Sequence, residues 1–194
     1  RADRRHIQDR DVTLLKEIVQ TKLNLEMAAT NQMIELAASV QPCQVTLVPE
    51  KPNEVPTEGG LDVSLNETAL RQAVSRLNSH NVKVSLFIDP NLEQVKSSHK
   101  VGAQAIEINT NTYAMAKTDK AVSDALKAVE DSSRMGNKLG LSILAGHALN
   151  YRNVRPIVRI QEIEDLNIGF SIIARAVFTG LREAVSEMKA LLRR

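Results

Sequence analysis

Short apolar runs alternate with longer stretches of helical periodicity along this 194-residue chain, and few folds accept that pattern. The runs fall at residues 23–27, 45–48, 82–88, 105–108, 141–145 and 166–168. Each is mostly continuous in apolar residues, as parallel strands covered on both faces require. Between them, residues 11–21 place Leu14, Leu15, Ile18 and Val19 on one side, and residues 65–79 do the same with Leu70, Ala73, Val74 and Leu77. A last helix is predicted over 171–192, with Ile172, Ala176, Leu181, Val185, Met188 and Leu192 at helical spacing. Ser64-Leu65-Asn66-Glu67 reads as a capping box, Asp89-Pro90 as an N-cap followed by the first helical residue, and Gly140 as a helix end. No linker or repeat interrupts the alternation, so residues 1–194 are expected to form one domain.

Strand–helix alternation leaves an open doubly wound sheet or a closed barrel. The runs end at or just before Glu26, Glu50, Asp89, Asn109, His147 and Gly169. Polar residues or glycine at every such end suit a barrel, whose loops converge on one mouth. An open sheet concentrates them at one switch point and usually opens with a glycine-rich turn, but no G-x-G-x-x-G or Walker loop occurs. Aromatics are only 3% with no Trp, so the core must be Leu, Ile, Val and Ala, which also favours a β/α protein. The expected class is α/β, a (β/α)₈ TIM barrel. Six runs are counted where eight are needed, and the chain opens in a loop and a helix. The first two strands and the first helix are therefore expected to lie outside it.

Several function classes are disfavoured. Net charge is +2 with basic residues scattered among acids, which is no nucleic-acid footprint. The basic ends, residues 1–5 and 193–194, read as solvated termini. Cys43 is the single cysteine, so no intrachain disulfide can form. It reads as a small buried residue in a reducing, cytoplasmic setting. No apolar stretch approaches the roughly 20 residues of a membrane span. No H-E-x-x-H, no His pair at ligand spacing and no nucleophile elbow is present, so neither a metal nor a Ser-His-Asp site is expected.

Two residues carry most of the chemical interest. Glu26, flanked by Leu25 and Met27, is either a carboxylate with a raised pKa that shuttles protons or an acid paired with a neighbouring Arg. His147 follows a run whose last residue, Gly146, leaves room beside it; it is either an acid–base group or a hydrogen-bonded structural His. His80 and His99 read as surface residues. Gly169 precedes a long helix and is placed to open a phosphate cup of backbone N–H groups. Glu58-Gly59-Gly60-Leu61-Asp62 lies in a loop long enough to be a lid, or is a plain glycine turn.

Six blocks then carry a resemblance: residues 1–11 (RADRRHIQDRD), 24–27 (NLEM), 47–63 (LVPEKPNEVPTEGGLDV), 84–89 (VSLFID), 145–154 (AGHALNYRNV) and 166–169 (LNIG). In this order they resemble the pyridoxine 5'-phosphate synthase family, nearly end to end. The resemblance implies a homo-octameric barrel of vitamin B6 biosynthesis that needs neither metal nor organic cofactor. Its transferase-type condensation joins 3-amino-2-oxopropyl phosphate to 1-deoxy-D-xylulose 5-phosphate, releasing phosphate and water. It implies catalytic roles for Glu26 and His147. It implies substrate contacts at Arg1, His6, Thr57, Glu107, Ala148, Gly169 and Phe170. The family's third catalytic group, a His, would stand two residues before Arg1. Three positions depart from the family's pattern: Pro56 for a Thr, Ala148 for a Gly and Phe170 for a His. Each hydrogen bond to phosphate lost this way costs about 1.5–3 kcal/mol. These departures motivate an alternative, a non-catalytic phosphate-binding oligomeric barrel relative. An open barrel would also leave unpaired edges at 23–27 and 166–168, which predicts aggregation of the isolated chain.

Overall fold

The computed structural model describes residues 3–49 and 59–194. In chain order the elements are α1 (Asp9–Ile18), β1 (Asn24–Met27), α2 (Asn31–Val40), β2 (Gln44–Leu47), α3 (Glu67–Asn78), β3 (Lys83–Ile88), α4 (Leu92–Lys100), β4 (Ala105–Asn109), α5 (Asn111–Met115), α6 (Asp119–Lys138), β5 (Ser142–Gly146), α7 (Val154–Val158), β6 (Ile163–Asn167), α8 (Phe170–Thr179) and α9 (Leu181–Leu191). The strands form one parallel sheet in sequential order from β1 to β6. It curls so that residues at both edges line shared cavities, and Lys22 beside β1 reaches Asp165 of β6 at 3.2 Å.

Alternation along each strand divides the sheet into two unlike faces. Val45, Leu47, Val84, Leu86, Ile88, Ile106, Ile108 and Ile143 are buried in one cluster with Leu70, Val74, Leu77, Val95 and Val129 from the covering helices. That outer layer is the hydrophobic core. The inner face carries polar groups: Thr46 Oγ1 donates to Asn24 Oδ1 at 3.1 Å, and Lys83 Nζ reaches Ser142 Oγ at 3.0 Å. Ser85 Oγ is buried there with no partner among the described residues. The apolar runs are thus covered by helices on the outside, and the inner face mixes these polar groups with Phe87 and Leu144.

Local signals hold in part. Gly140 (φ 81°) ends α6, with Leu141 N donating to Gly136 O and Gly140 N to Asn137 O, which satisfies carbonyls that the helix end would leave free. The capping box does not form: Asp62 takes the Ser64 hydroxyl and the Leu65 N–H, and α3 starts only at Glu67. The α4 cap is Asn91, which accepts from Glu93 N, rather than Asp89. The single helix expected over 171–192 is broken at Gly180 (φ 82°). Of its two parts, α9 buries Ala184 and Met188, whereas α8 buries none of its residues.

Two surface readings need correcting. Cys43 is exposed, because it sits in the turn before β2 rather than in the strand. Arg194 is no free terminus: its guanidinium donates to the carbonyls of Val158, Ile160, Gln161 and Ile163, tying the end of the chain to the turn before β6. No helix among the described residues is long and apolar enough to cross a membrane.

Candidate active site

The carboxyl ends of the strands open on a cavity of about 1130 Å³. Its wall includes Glu26 from β1, Phe87 from β3, Glu107 from β4, residues 147–150 after β5 and residues 166–171 around the start of α8. Side chains far apart in sequence meet there because adjacent parallel strands keep register, with Phe87 opposite Glu107 and Gly146 opposite Asn167.

Glu107 is the most constrained of these groups. It is 3% exposed, and Asn167 Nδ2 donates to its Oε2 at 2.6 Å. Burial, then the nearby negative charge of Glu26, push its pKa up from 4.5 to about 8, while the Asn167 hydrogen bond pulls the other way. Glu107 is therefore a neutral acid at pH 7, able to donate a proton. Gly146 makes this possible. A Cβ there would stand 2.5 Å from Glu107 Oε1 and 3.1 Å from the Asn167 carbonyl oxygen. Gly146→Ala is expected to destabilise the protein by about 1–3 kcal/mol through overpacking, read as a lowered urea midpoint.

Glu26 faces the open cavity, and its surface is accessible. The surrounding wall still displaces part of its hydration, and that desolvation raises its pKa. Among the described residues Glu26 has no ion-pair partner. His147 sits at the end of β5, its ring centroid 6.1 Å from that of Phe87 and inclined at 53°. His147 (φ 81°) and Ala148 (φ 59°) both occupy the left-handed region. Ala148 therefore carries the steric cost of a Cβ in that conformation.

Gly169 is the N-cap residue of α8, which has no side-chain cap, and Phe170 beside it is 90% exposed. Gly169 has φ −110°, and a Cβ on it would meet nothing within 4 Å. Neither backbone nor packing requires glycine there, which leaves space in front of the first turn of α8. Ser171 Oγ donates to Leu149 O at 3.0 Å and joins that turn to the loop carrying His147.

The structure brings together Glu26, Glu107, His147, Ala148, Gly169 and Phe170. His6 instead lines an adjoining cavity of about 440 Å³ with Arg4 and Asp9, which shares Asn24, Glu26 and Val48 with the first. Arg1, Thr57 and Pro56 lie outside the described residues. Sequence reasoning missed Asn167, which holds Glu107, and Asn153, whose side chain accepts from Asn150 N and donates to Ala148 O. Among the described residues no group of three or more His, Cys, Asp or Glu is placed to hold a metal ion.

The sequence profile described as "Pyridoxal phosphate biosynthesis protein PdxJ" matches residues 1–194. The chain belongs to the PdxJ family. Curated relatives agree. A pyridoxine 5'-phosphate synthase of Geobacter sulfurreducens is 54% identical over 193 residues, covering 100% of this chain and 81% of that protein. Another, from Trichlorobacter lovleyi, is 52% identical over 194 residues with the same coverage. Among solved structures, a mutant tryptophan synthase α-subunit from Pyrococcus furiosus superposes with a TM-score of 0.63. That match covers 95% of this chain and 71% of that one at 10% identity, so it speaks to fold alone. The PdxJ chain is thus a curled, parallel, TIM-barrel-like α/β structure. In this PdxJ structure, Glu26, Glu107 and His147, from the ends of β1, β4 and β5, face one cavity.

Proposed function

We propose that the chain condenses 3-amino-2-oxopropyl phosphate with 1-deoxy-D-xylulose 5-phosphate to form pyridoxine 5'-phosphate, releasing phosphate and water. The observation that carries this reading is one cavity holding an accessible carboxylate, a buried neutral acid and an imidazole, in a chain about half identical to synthases of that name. A condensation that forms an imine, loses water and closes a ring needs protons taken from carbon and given to oxygen in turn. Glu26 is read as the group that moves protons through these steps and His147 as the acid near the leaving groups. Glu107, protonated at neutral pH, donates a hydrogen bond or a proton to a developing oxyanion.

The phosphate groups are read as lying at the start of α8, where Gly169 leaves open space and the N–H groups of Gly169 and Phe170 meet a negative charge. Ala148, His6, Arg1 and Thr57 complete the substrate contacts in this reading. The six strands are taken as staves of an eight-stranded barrel, with residues 1–194 as a single domain. The protein is taken to work as a cytoplasmic homo-octamer on small phosphorylated substrates without metal or organic cofactor.

The test is incubation of the full-length protein, with the segment expected before residue 1 included, with both substrates, following pyridoxine 5'-phosphate and inorganic phosphate together. The expected result is one phosphate released per product formed. Absence of both signals in folded protein overturns the reading.

A further inference from the structure

We propose that Thr110 is a positioning residue for His147, its buried hydroxyl pinning the peptide unit that joins His147 to Ala148. The inference rests on the functional reading above and adds a residue to its machinery. Thr110 is fully buried. Its N–H donates to Gly146 O at 2.8 Å, and its Oγ1 lies 2.8 Å from Gly146 O and 2.6 Å from His147 O. A hydroxyl has one proton to give, and the shorter contact is to the carbonyl of His147.

Thr110 is the N-cap residue of α5, where a Thr hydroxyl ordinarily accepts from an N–H of its own helix, yet no such bond is made. Asn109 Oδ1 accepts from Asn111 N instead. The Thr110 hydroxyl is thus diverted from its local partner to the neighbouring strand end.

That strand end needs holding. His147 and Ala148 are consecutive non-glycine residues in the left-handed region, at φ 81° and 59°. Such a pair relaxes unless its surroundings over-determine it. Asn153 holds the carbonyl of Ala148 at 3.1 Å, and Thr110 holds that of His147. The carbonyl of His147 belongs to the peptide that sets ψ of 147 and φ of 148. Fixing it fixes the direction in which the His147 side chain leaves the backbone, and Phe87 then meets the ring.

The test compares Thr110→Val, which keeps shape and loses the donor, with Thr110→Ser, which keeps the donor. In Thr110→Val, kcat should fall about tenfold to hundredfold, the loss typical of a misplaced catalytic group, with KM changed less than about threefold. The imidazole resonances of His147 should shift in the ¹H–¹⁵N spectrum of the same variant. Thr110→Ser should restore both. Unchanged kcat and resonances in Thr110→Val, whatever happens to its melting temperature, overturn the proposal. So does a Ser variant as impaired as the Val variant. Should the Val variant not fold, Thr110→Cys, a weaker donor of similar size, makes the same comparison. The resonances report on positioning without turnover, so failure of the wild-type chain to make product sinks the functional reading alone.

Discussion

Glu26→Gln is expected to lower kcat for the condensation by about 10²–10⁴-fold while leaving the fold intact. The amide matches the carboxylate in shape but cannot accept a proton at neutral pH. Among the described residues Glu26 makes no ion pair, so the substitution breaks no structural contact of that kind. Its accessible surface means that the amide is also solvated without strain. KM should change far less than kcat, because the loss falls on proton transfer rather than on phosphate binding. His147→Asn should give a loss of similar size, and the double variant should be little worse than the poorer single one, since the two groups act within one sequence of proton transfers. Rates within threefold of wild type for both single variants would remove Glu26 and His147 from the chemistry. Complete loss in both, with wild-type turnover, would exclude a non-catalytic phosphate-binding scaffold.

The expected runs locate the strands well, because the outer layer of Val, Ile and Leu residues is strongly apolar. The exception is β6, expected at 166–168 and found at Ile163–Asn167. Glu164 and Asp165 are exposed in this edge strand, so its first half carries charge where an interior strand carries apolar residues. The polarity of the inner face was not legible either. Asn24, Thr46 and Ser85 sit within runs that look apolar from neighbouring residues, and only the curl of the sheet shows that they share one interior. At the site, Glu26, Glu107 and His147 stand out as polar residues at strand ends. Their environments do not, because these come from residues distant in sequence: Asn167 lies 60 residues from Glu107, and Thr110 lies 37 from His147. Gly146 reads in the sequence as room for His147, whereas the space it leaves is taken by the Glu107 carboxyl.

Glu107→Gln is expected to stabilise the protein at neutral and alkaline pH, with a gap that widens as pH rises. Glu107 titrates at about 8 in the folded chain and near 4.5 when unfolded. Between those values the folded state holds a proton that the unfolded state has released. Stability therefore falls with rising pH across this window, by about 1.4 kcal/mol per unit from this group. Below about pH 4.5 both states are protonated and the cost vanishes; above about 8 both are ionised and it stops growing. Gln stays neutral throughout and still presents an oxygen to Asn167 Nδ2. The variant should match wild type near pH 4.5 and exceed it by about 3 kcal/mol at pH 7, measured by urea denaturation at several pH values. Glu26, also raised by desolvation, contributes in the same direction in both proteins and leaves the difference between them unaltered in sign. Neutralising Glu26 instead removes the charge that helps hold Glu107 protonated, so Glu26→Gln should lower the pKa of Glu107 and flatten the dependence. Parallel stability curves for wild type and Glu107→Gln would show that Glu107 is ionised in the folded chain, and with it the neutral acid of the proposed mechanism would be lost.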